Sequence, residues 1–208
     1  MAALGVSIRQ RRILDLIEQI TVAVLYAWLT LRLWPSELSV ANWYPLLILP
    51  SEGLVVFLLL IRRTTDRIST SLWDWSVAAA GTTLALLIGK GGAPIFGLLG
   101  PCLMVSGLVM HLGAKLSLWK SFGLVAANRG VKSGGAYRVV RHPMYAGYIV
   151  SQLGFLLVAP SLWNAAVYAA AWALLIARIH AEERVLSEDA NYGAYKALVR
   201  YRLLPYVF

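Results

Sequence analysis

The sequence predicts an all-α integral membrane protein with about six transmembrane helices. Of its 208 residues, 59% are hydrophobic and only 14% are charged, whereas about a quarter of the residues in a soluble domain are charged. Several apolar stretches approach ~20 residues, the length at which a helix crosses the hydrocarbon core of a bilayer. Because backbone groups in lipid must pair internally, and these stretches are too long for barrel strands, a helical bundle is predicted.

Six apolar stretches predict the helices in chain order. They cover residues 13–34, 44–61, 73–89, 94–116, 143–159 and 162–181. The first stretch is too long for a removable signal peptide and lacks a small-residue cleavage site. Pro143 suits the first turn of the fifth helix, where its missing N–H is not needed. After the sixth, residues 184–202 alternate charged with apolar side chains, which predicts a short amphipathic helix or hairpin at the membrane interface.

The basic residues predict the orientation. All but Arg32 and Lys90 of the 19 Lys and Arg residues fall on one side of a six-helix arrangement. Basic loops stay in the cytoplasm, so both termini and this side of the bundle are expected there. The net charge of +9 is therefore interpreted as topology and as attraction to anionic membrane lipids. Nucleic-acid binding is disfavoured because the charge is spread over several loops.

The chain divides into two predicted regions. Residues 1–93 form an N-terminal three-helix membrane region, and residues 94–208 contain nearly all the residues that suggest chemistry. Glu52 is the exception, because an acid within a span is either functional or a buried hydrogen-bonding group.

Three other features are interpreted as structural. His111 is expected to be a hydrogen-bonding residue of the core. Cys102 has no metal-ligating neighbours in the sequence and is expected to be a packed apolar thiol. Residues 89–92 resemble a phosphate loop in composition, but no strand precedes them, which favours a simple turn.

A polar motif at the start of the fifth helix predicts a binding site for a charged small molecule. The motif is Gly135-x-Tyr137-x3-Arg141-His142-Pro143-Met144-Tyr145-x-Gly147. The first N–H groups of a helix favour an anionic ligand group. Tyr137 and Tyr145 offer ring faces and hydroxyls, and Gly135 and Gly147 allow close approach of a backbone.

A second motif ends the sixth helix and faces the same side of the membrane. It reads Arg178-x3-Glu182-Glu183-x2-Leu186. Arg178 and Glu182 are four residues apart and share a helix face. Glu182 suits a cationic amine or sulfonium, and Arg178 suits a carboxylate or phosphate. From the residues alone, a structural salt bridge between Arg178 and Glu182 is an equal alternative, as are lipid-headgroup contacts of Arg141 and His142.

Together these motifs resemble the isoprenylcysteine carboxyl methyltransferase family and the related phospholipid N-methyltransferases. The resemblance covers about residues 100–208 and extends to Ser121-Phe122, Gly130-Val131, Tyr192-x2-Tyr195 and Leu204-Pro205. It implies an integral membrane enzyme that moves a methyl group from S-adenosylmethionine to a lipophilic or lipidated acceptor. The acceptor implied first is the carboxylate of an isoprenylcysteine-like substrate. The alternatives are a phospholipid amine and, for a different class, an NADPH-dependent membrane reductase of similar fold.

The resemblance also implies the site. A cytoplasmic cofactor pocket would form from the loop before helix five, helix six and the C-terminal segment. Its cofactor-binding residues would be Gly130, Val131, Lys132, Tyr137, His142, Pro143, Met144, Tyr145 and Glu182. The catalytic residues would be Arg178, which holds the acceptor, and Arg141; no metal is implied. The chain departs from some members at Arg129, where they have a histidine.

Overall fold

The computed structural model describes residues 8–33, 48–63, 65 and 67–208, and these ranges are mainly helical. They contain seven α-helices: α1 (Ile8–Leu33), α2 (Ile48–Ile61), α3 (Leu72–Leu84), α4 (Leu99–Leu118), α5 (Pro143–Val158), α6 (Leu162–Leu186) and α7 (Ala190–Leu198). The β-type pairing within them is one antiparallel bridge between Ile68 and Ala127. Helix α4 packs on α5, α3 packs on α6, and α1 packs on α2.

Two segments are long and apolar enough to cross a membrane, Leu99–Ser121 and Leu162–Leu186. Only 28% and 39% of their most apolar windows are buried, so most of this apolar surface faces outwards, where a bilayer would cover it. The apolar segments Leu16–Trp28 and Pro143–Val158 are shorter. The remaining four of the six predicted spans therefore stay predictions, and residue 34 of the first span and residues 44–47 of the second lie outside the described ranges.

Helix boundaries differ from the predicted ones on both sides of the bundle. Residues 88–98 form an irregular connection rather than helix, because the N–H groups of Gly92 and Ile95 donate to the carbonyls of Pro160 and Leu157 (2.7 and 2.8 Å). Helix α6 continues to Leu186, past the predicted end at residue 181. Hydropathy marks where the apolar surface ends, whereas this helix continues for a further charged turn.

Asn164 fixes the irregular connection. Its side chain is fully buried and accepts from the N–H of Gly89 (2.9 Å) while it donates to the carbonyls of Gly89 and Ala159 (3.1 and 2.9 Å). The segment 89–92 thus lies in a non-helical connection, as the sequence predicted, and it joins the α5–α6 turn.

Glycines bring α4 and α5 into close contact. A Cβ atom on Gly147 would lie 2.6 Å from the backbone nitrogen of His111 and 2.9 Å from the carbonyl oxygen of Gly107. Gly154 has the same relation to the carbonyl oxygen of Gly100, at 2.6 Å. The close approach that the sequence assigned to Gly147 is therefore an approach to α4 and not to a ligand.

Replacing Gly147 by alanine should destabilise the bundle by about 1–3 kcal/mol, because overpacking forces backbone to move. Gly113→Ala is the matched control, since a Cβ at Gly113 in α4 would meet nothing within 4 Å. Thermal unfolding in detergent should show a lower Tm for Gly147→Ala and an unchanged or higher Tm for the control. Equal Tm values for both variants would mean that the close packing of α4 on α5 does not exist in solution.

An ion pair between a buried carboxylate and a largely exposed guanidinium connects α3 with α6. Asp74 is 2% exposed, and its two carboxylate oxygens accept from Arg184 at 2.7 and 2.6 Å. The hydroxyl of Ser69 donates to the same carboxylate (2.5 Å). Residues 1–93 and 94–208 are therefore in contact, and their division into two regions remains a prediction.

The structure locates two further residues that the sequence singled out, Cys102 and His111. Cys102 is exposed on α4 and is not a packed thiol. The part of α4 around Cys102 is uniformly apolar, so the sequence there does not indicate which face is buried. His111 is buried against the ring of Tyr148, with centroids 4.8 Å apart. Its Nδ1 has no hydrogen-bond partner among the described residues. The side chain of Glu52 lies outside the described part of the chain.

Candidate active site

The loop between α4 and α5 forms one wall of a cavity that α6 and α7 complete. Together with the solvent in its open mouth, the cavity has about 750 Å³ of empty space. The lining consists of Leu118, Ser121, Gly123, Val125, Ala127, Arg129, Gly130, Val131, Lys132, Tyr137, Arg141, His142, Met144, Tyr145, Glu182, Leu186, Tyr192 and Tyr195. It includes every predicted cofactor-binding residue except Pro143, together with Arg141.

Pro143 acts through the backbone. It is the first residue of α5, and His142 is the N-cap, as the missing N–H of proline predicts. The N–H groups of Tyr145 and Ala146 both return to the carbonyl of His142 (3.1 and 3.2 Å). These two groups of the first turn are therefore used within the helix and are not free to bind an anion.

The C-terminal segment holds the start of α5 in place. The backbone N–H groups of Arg141 and His142 donate to the carbonyls of Tyr201 and Arg202 (2.9 and 2.8 Å). The guanidinium of Arg141 donates to two further carbonyls, those of Val199 and Arg200 (2.9 and 2.6 Å). Arg141 is 5% exposed, so its side chain connects the motif to the C-terminal segment while it forms part of the cavity wall.

Glu183 contacts three cationic or titratable side chains. Its Oε1 accepts from the Nε of Arg141 (2.8 Å) and lies 3.4 Å from the Nε2 of His142. Its Oε2 accepts from the Nε of Arg202 (3.0 Å). No role was predicted for Glu183, because nothing in the motif distinguishes it from its neighbour Glu182.

Glu182 faces the cavity. Its side chain is 22% exposed, and it accepts a hydrogen bond from the hydroxyl of Tyr145. The Nδ1 of His142 lies 3.6 Å from the other carboxylate oxygen. The two adjacent glutamates therefore contact opposite nitrogens of one imidazole, and Glu182 alone of the pair lines the cavity.

His142 favours its protonated form in this position. Burial by itself lowers the pKa of His142, but the contacts with Glu182 and Glu183 outweigh burial and raise the pKa above its ordinary value. A histidine between two carboxylates is stabilised as a cation. The charges of this part of the wall are thus mutually paired.

Three tyrosines form the opposite part of the wall. Tyr137, Tyr192 and Tyr195 are all buried, and the hydroxyl of Tyr195 donates to the carbonyl of Tyr137 (2.8 Å). Burial, and next the charge of Glu182, raise the pKa of Tyr137 well above its ordinary value. Burial raises the pKa of Tyr195 to about 12. The phenols of Tyr137 and Tyr195 therefore stay protonated at neutral pH, and the proton of Tyr195 is already used in the bond to Tyr137.

Asn128 shapes the segment around Gly130 to Lys132. Its amide oxygen accepts from the N–H of Gly130 (2.9 Å), and its amide nitrogen donates to Asp189 at the N-cap of α7 (2.8 Å). Gly130 has φ +100°, a conformation that favours glycine. No role was predicted for Asn128 or Asp189. An asparagine two residues before a glycine is a turn signal, which could have identified Asn128.

Arg178 lies outside the cavity lining. Its guanidinium lies over the ring of Tyr145, 5.4 Å from the centroid, and donates to the carbonyl of Leu124 (2.8 Å). Its Nε is buried and has no hydrogen-bond partner among the described residues. Glu182 instead contacts Tyr145 and His142. The two residues that share a helix face are therefore engaged with different neighbours.

The family comparison covers this site. Residues 99–188 match the isoprenylcysteine carboxyl methyltransferase (ICMT) family, and every predicted site residue, from Gly130 to Glu182, lies in the matched segment. Curated proteins gave no significant match. One similar solved structure is that of the eukaryotic intramembrane Ras methyltransferase ICMT (isoprenylcysteine carboxyl methyltransferase) without a monobody, at 17% identity and a TM-score of 0.48, with 94% of this chain and 86% of that chain covered. The family match confirms the resemblance that the motifs carry.

Proposed function

Since residues 99–188 of this chain belong to the isoprenylcysteine carboxyl methyltransferase family, we propose that it is an integral membrane methyltransferase that uses S-adenosylmethionine to methylate the carboxylate of an isoprenylcysteine-like acceptor. The observation that carries the proposal is the separation of Glu182 from Arg178. Glu182 lies in the wall of the cavity, and Arg178 lies outside it, against Tyr145. The acidic side chain of Glu182 and the basic side chain of Arg178 are thus placed to contact two different ligands.

The residues of the cavity fit S-adenosylmethionine. Glu182 is the acidic side chain of the described lining and suits the cationic part of the cofactor. The basic lining residues Arg129 and Lys132 suit its carboxylate, because charge-assisted hydrogen bonds are stronger than neutral ones. The rings of Tyr137 and Tyr192 offer faces for the adenine. We propose Gly130, Val131, Met144 and His142 as the remaining contacts.

When bound, the cofactor supplies a methyl group already activated by its sulfonium charge. A carboxylate acceptor then needs no base, whereas an amine acceptor needs a route for its proton. The protein has to position the acceptor and exclude water. Arg178 is suited to orient a carboxylate, because one nitrogen of its guanidinium donates to Leu124 while its Nε has no hydrogen-bond partner among the described residues.

Arg141 takes a different role within the proposal. Its bonds to Glu183 and to the carbonyls of residues 199 and 200 use its donors within the protein. We therefore propose Arg141 as a positioning residue, which fixes Glu183 and through it the imidazole of His142. Pro143 supports the same geometry by starting α5 directly after His142.

Purified protein in detergent should bind S-adenosylmethionine and its demethylated product with micromolar affinity, about −8 kcal/mol. Titration calorimetry with both ligands, and with NADPH as the competing cofactor, tests this expectation. Heat with NADPH alone would replace the proposal by the membrane reductase. If labelled methyl were transferred to a phospholipid amine and not to a prenylcysteine carboxylate, the proposed acceptor would be wrong but the proposed methyl transfer would stand.

We further place the cavity and both termini on the cytoplasmic side. The support is the distribution of basic residues, since all but Arg32 and Lys90 fall on one side of the six-helix arrangement. A protease site introduced into the exposed loop around Ser133 and Gly134 should be cut from the cytoplasmic face of sealed vesicles. Cutting from the other face would reverse the orientation.

A further inference from the structure

Helix α1, which precedes the family segment, contains a buried acid beside the site. Glu18 is 6% exposed, although α1 is mainly apolar and a charge within such a segment is costly. One carboxylate oxygen lies 2.8 Å from a guanidinium nitrogen of Arg62 at the end of α2. The other accepts from the backbone N–H of Leu124 (3.2 Å). The next residue, Gln19, donates to the carbonyl of Leu59 (2.9 Å) and thereby fixes α1 against α2.

Leu124 joins this acid to Arg178. The N–H of Leu124 donates to Glu18, and its carbonyl accepts from Arg178 (2.8 Å). Because both groups belong to one residue, the carboxylate of Glu18 and the guanidinium of Arg178 are within about 10 Å of each other. Charges at that separation in a protein interior still interact measurably.

We infer that Glu18 is a positioning residue for Arg178. It holds the Leu124 backbone whose carbonyl fixes the guanidinium, and because it is paired with Arg62 it leaves Arg178 available to an anionic acceptor. This inference rests on the proposed function, in which Arg178 binds the acceptor. It assigns a part in the reaction to the N-terminal helices, which lie outside the family segment.

Arg62 determines whether the charge of Glu18 supports or weakens the binding of an anionic acceptor to Arg178. With Arg62 present, the Glu18 charge is compensated within its own ion pair. Without Arg62, the cation that shares the Leu124 backbone with Glu18 is Arg178. The carboxylate of Glu18 then competes with the carboxylate of an acceptor for the charge of Arg178. Removing the acid instead leaves the positive charge of Arg62 near the acceptor. The two substitutions should therefore change anion binding in opposite directions.

The test compares N-acetyl-S-farnesylcysteine, which has a carboxylate, with its neutral methyl ester. For Arg62→Gln we expect the carboxylate to bind about tenfold more weakly, while the ester binds as it does to the wild type. Glu18→Gln keeps an oxygen that can accept from the N–H of Leu124 and removes only the charge, so it should leave the ester affinity unchanged and bind the carboxylate at least as tightly as the wild type does. The double variant should return the carboxylate affinity towards that of the wild type and leave the ester affinity unchanged. Arg63→Gln removes an exposed neighbouring charge and is the matched control, expected to change neither.

The outcomes separate this inference from the proposed function. If the wild type binds neither probe, the acceptor class is wrong, and the role of Glu18 is wrong with it. If the wild type binds the carboxylate, but the variants change both probes in parallel with Tm, the pair is structural and only the inference is overturned. Should Arg62→Gln fail to fold, the ratio of carboxylate to ester affinity in Glu18→Gln decides, since a fall in that ratio contradicts the inference.

Discussion

Replacing Arg178 by alanine is expected to reduce methyl transfer at least ~100-fold, since truncating a charged contact costs about 1.5–3 kcal/mol and disorders the acceptor. Cofactor affinity should remain nearly unchanged, because Arg178 is not part of the cavity lining and contacts Leu124 and the ring of Tyr145 instead. Methyl transfer, cofactor titration and thermal unfolding of the same preparation measure the three quantities.

Glu182→Ala is the matched variant, one helical turn away on the same face. It should weaken cofactor binding by about 1.5–3 kcal/mol, because Glu182 lies in the lining and holds both Tyr145 and His142. Arg178→Lys keeps the charge but loses two-pronged contact with a carboxylate, so it should retain only part of the activity. If alanine at 178 and at 182 changed transfer, cofactor affinity and Tm alike, the pair would be structural and the assigned roles wrong.

The second large effect is expected at Glu183. Alanine there removes the shared partner of Arg141, His142 and Arg202, and breaking a buried pair costs about 3–5 kcal/mol because the remaining charge is uncompensated. For a chain of this size that loss corresponds to a fall in Tm of roughly 10 °C. Thermal unfolding with and without the cofactor product measures it.

Glu188→Ala provides the control for this prediction. Glu188 is exposed and lies five residues further along the chain, so its loss removes the same charge without opening the network. Its Tm should stay within about 1–2 °C of the wild type, as for most surface substitutions. Similar Tm values for Glu183→Ala and Glu188→Ala would show that Glu183 does not organise the site.

Several features of the fold and site follow from the sequence because they depend on local chemistry. Pro143 starts α5 because proline lacks the N–H that the first turn does not use. The alternation of charge after α6 predicts an amphipathic segment, which proves to be the helix α7 and not a hairpin. The residues predicted to bind the cofactor, apart from Pro143, lie together in the wall of one cavity, whereas the predicted catalytic residue Arg178 does not; their roles remain predictions.

Packing between helices decided which way individual residues face, which local sequence patterns do not show. Cys102 and Gly147 lie on helices that are apolar nearly all round, so the sequence does not show that Cys102 faces outwards and that Gly147 faces α4. The contact between α4 and α5 depends on small residues from two distant parts of the chain. Such complementarity exists only once both helices are in place.

The sequence by itself determined the helical class, the two polar clusters and the resemblance that the family match over residues 99–188 supports. Only the tertiary structure decided which partner each charge takes. Glu182 and Glu183 are adjacent and chemically equal, but successive residues point about 100° apart on a helix. Glu182 therefore faces the cavity, whereas Glu183 faces Arg141 and Arg202. Glu18 is joined to Arg178 across 160 positions of sequence through the backbone of Leu124, because a long-range contact is fixed by how the helices pack and not by the pattern of any one helix.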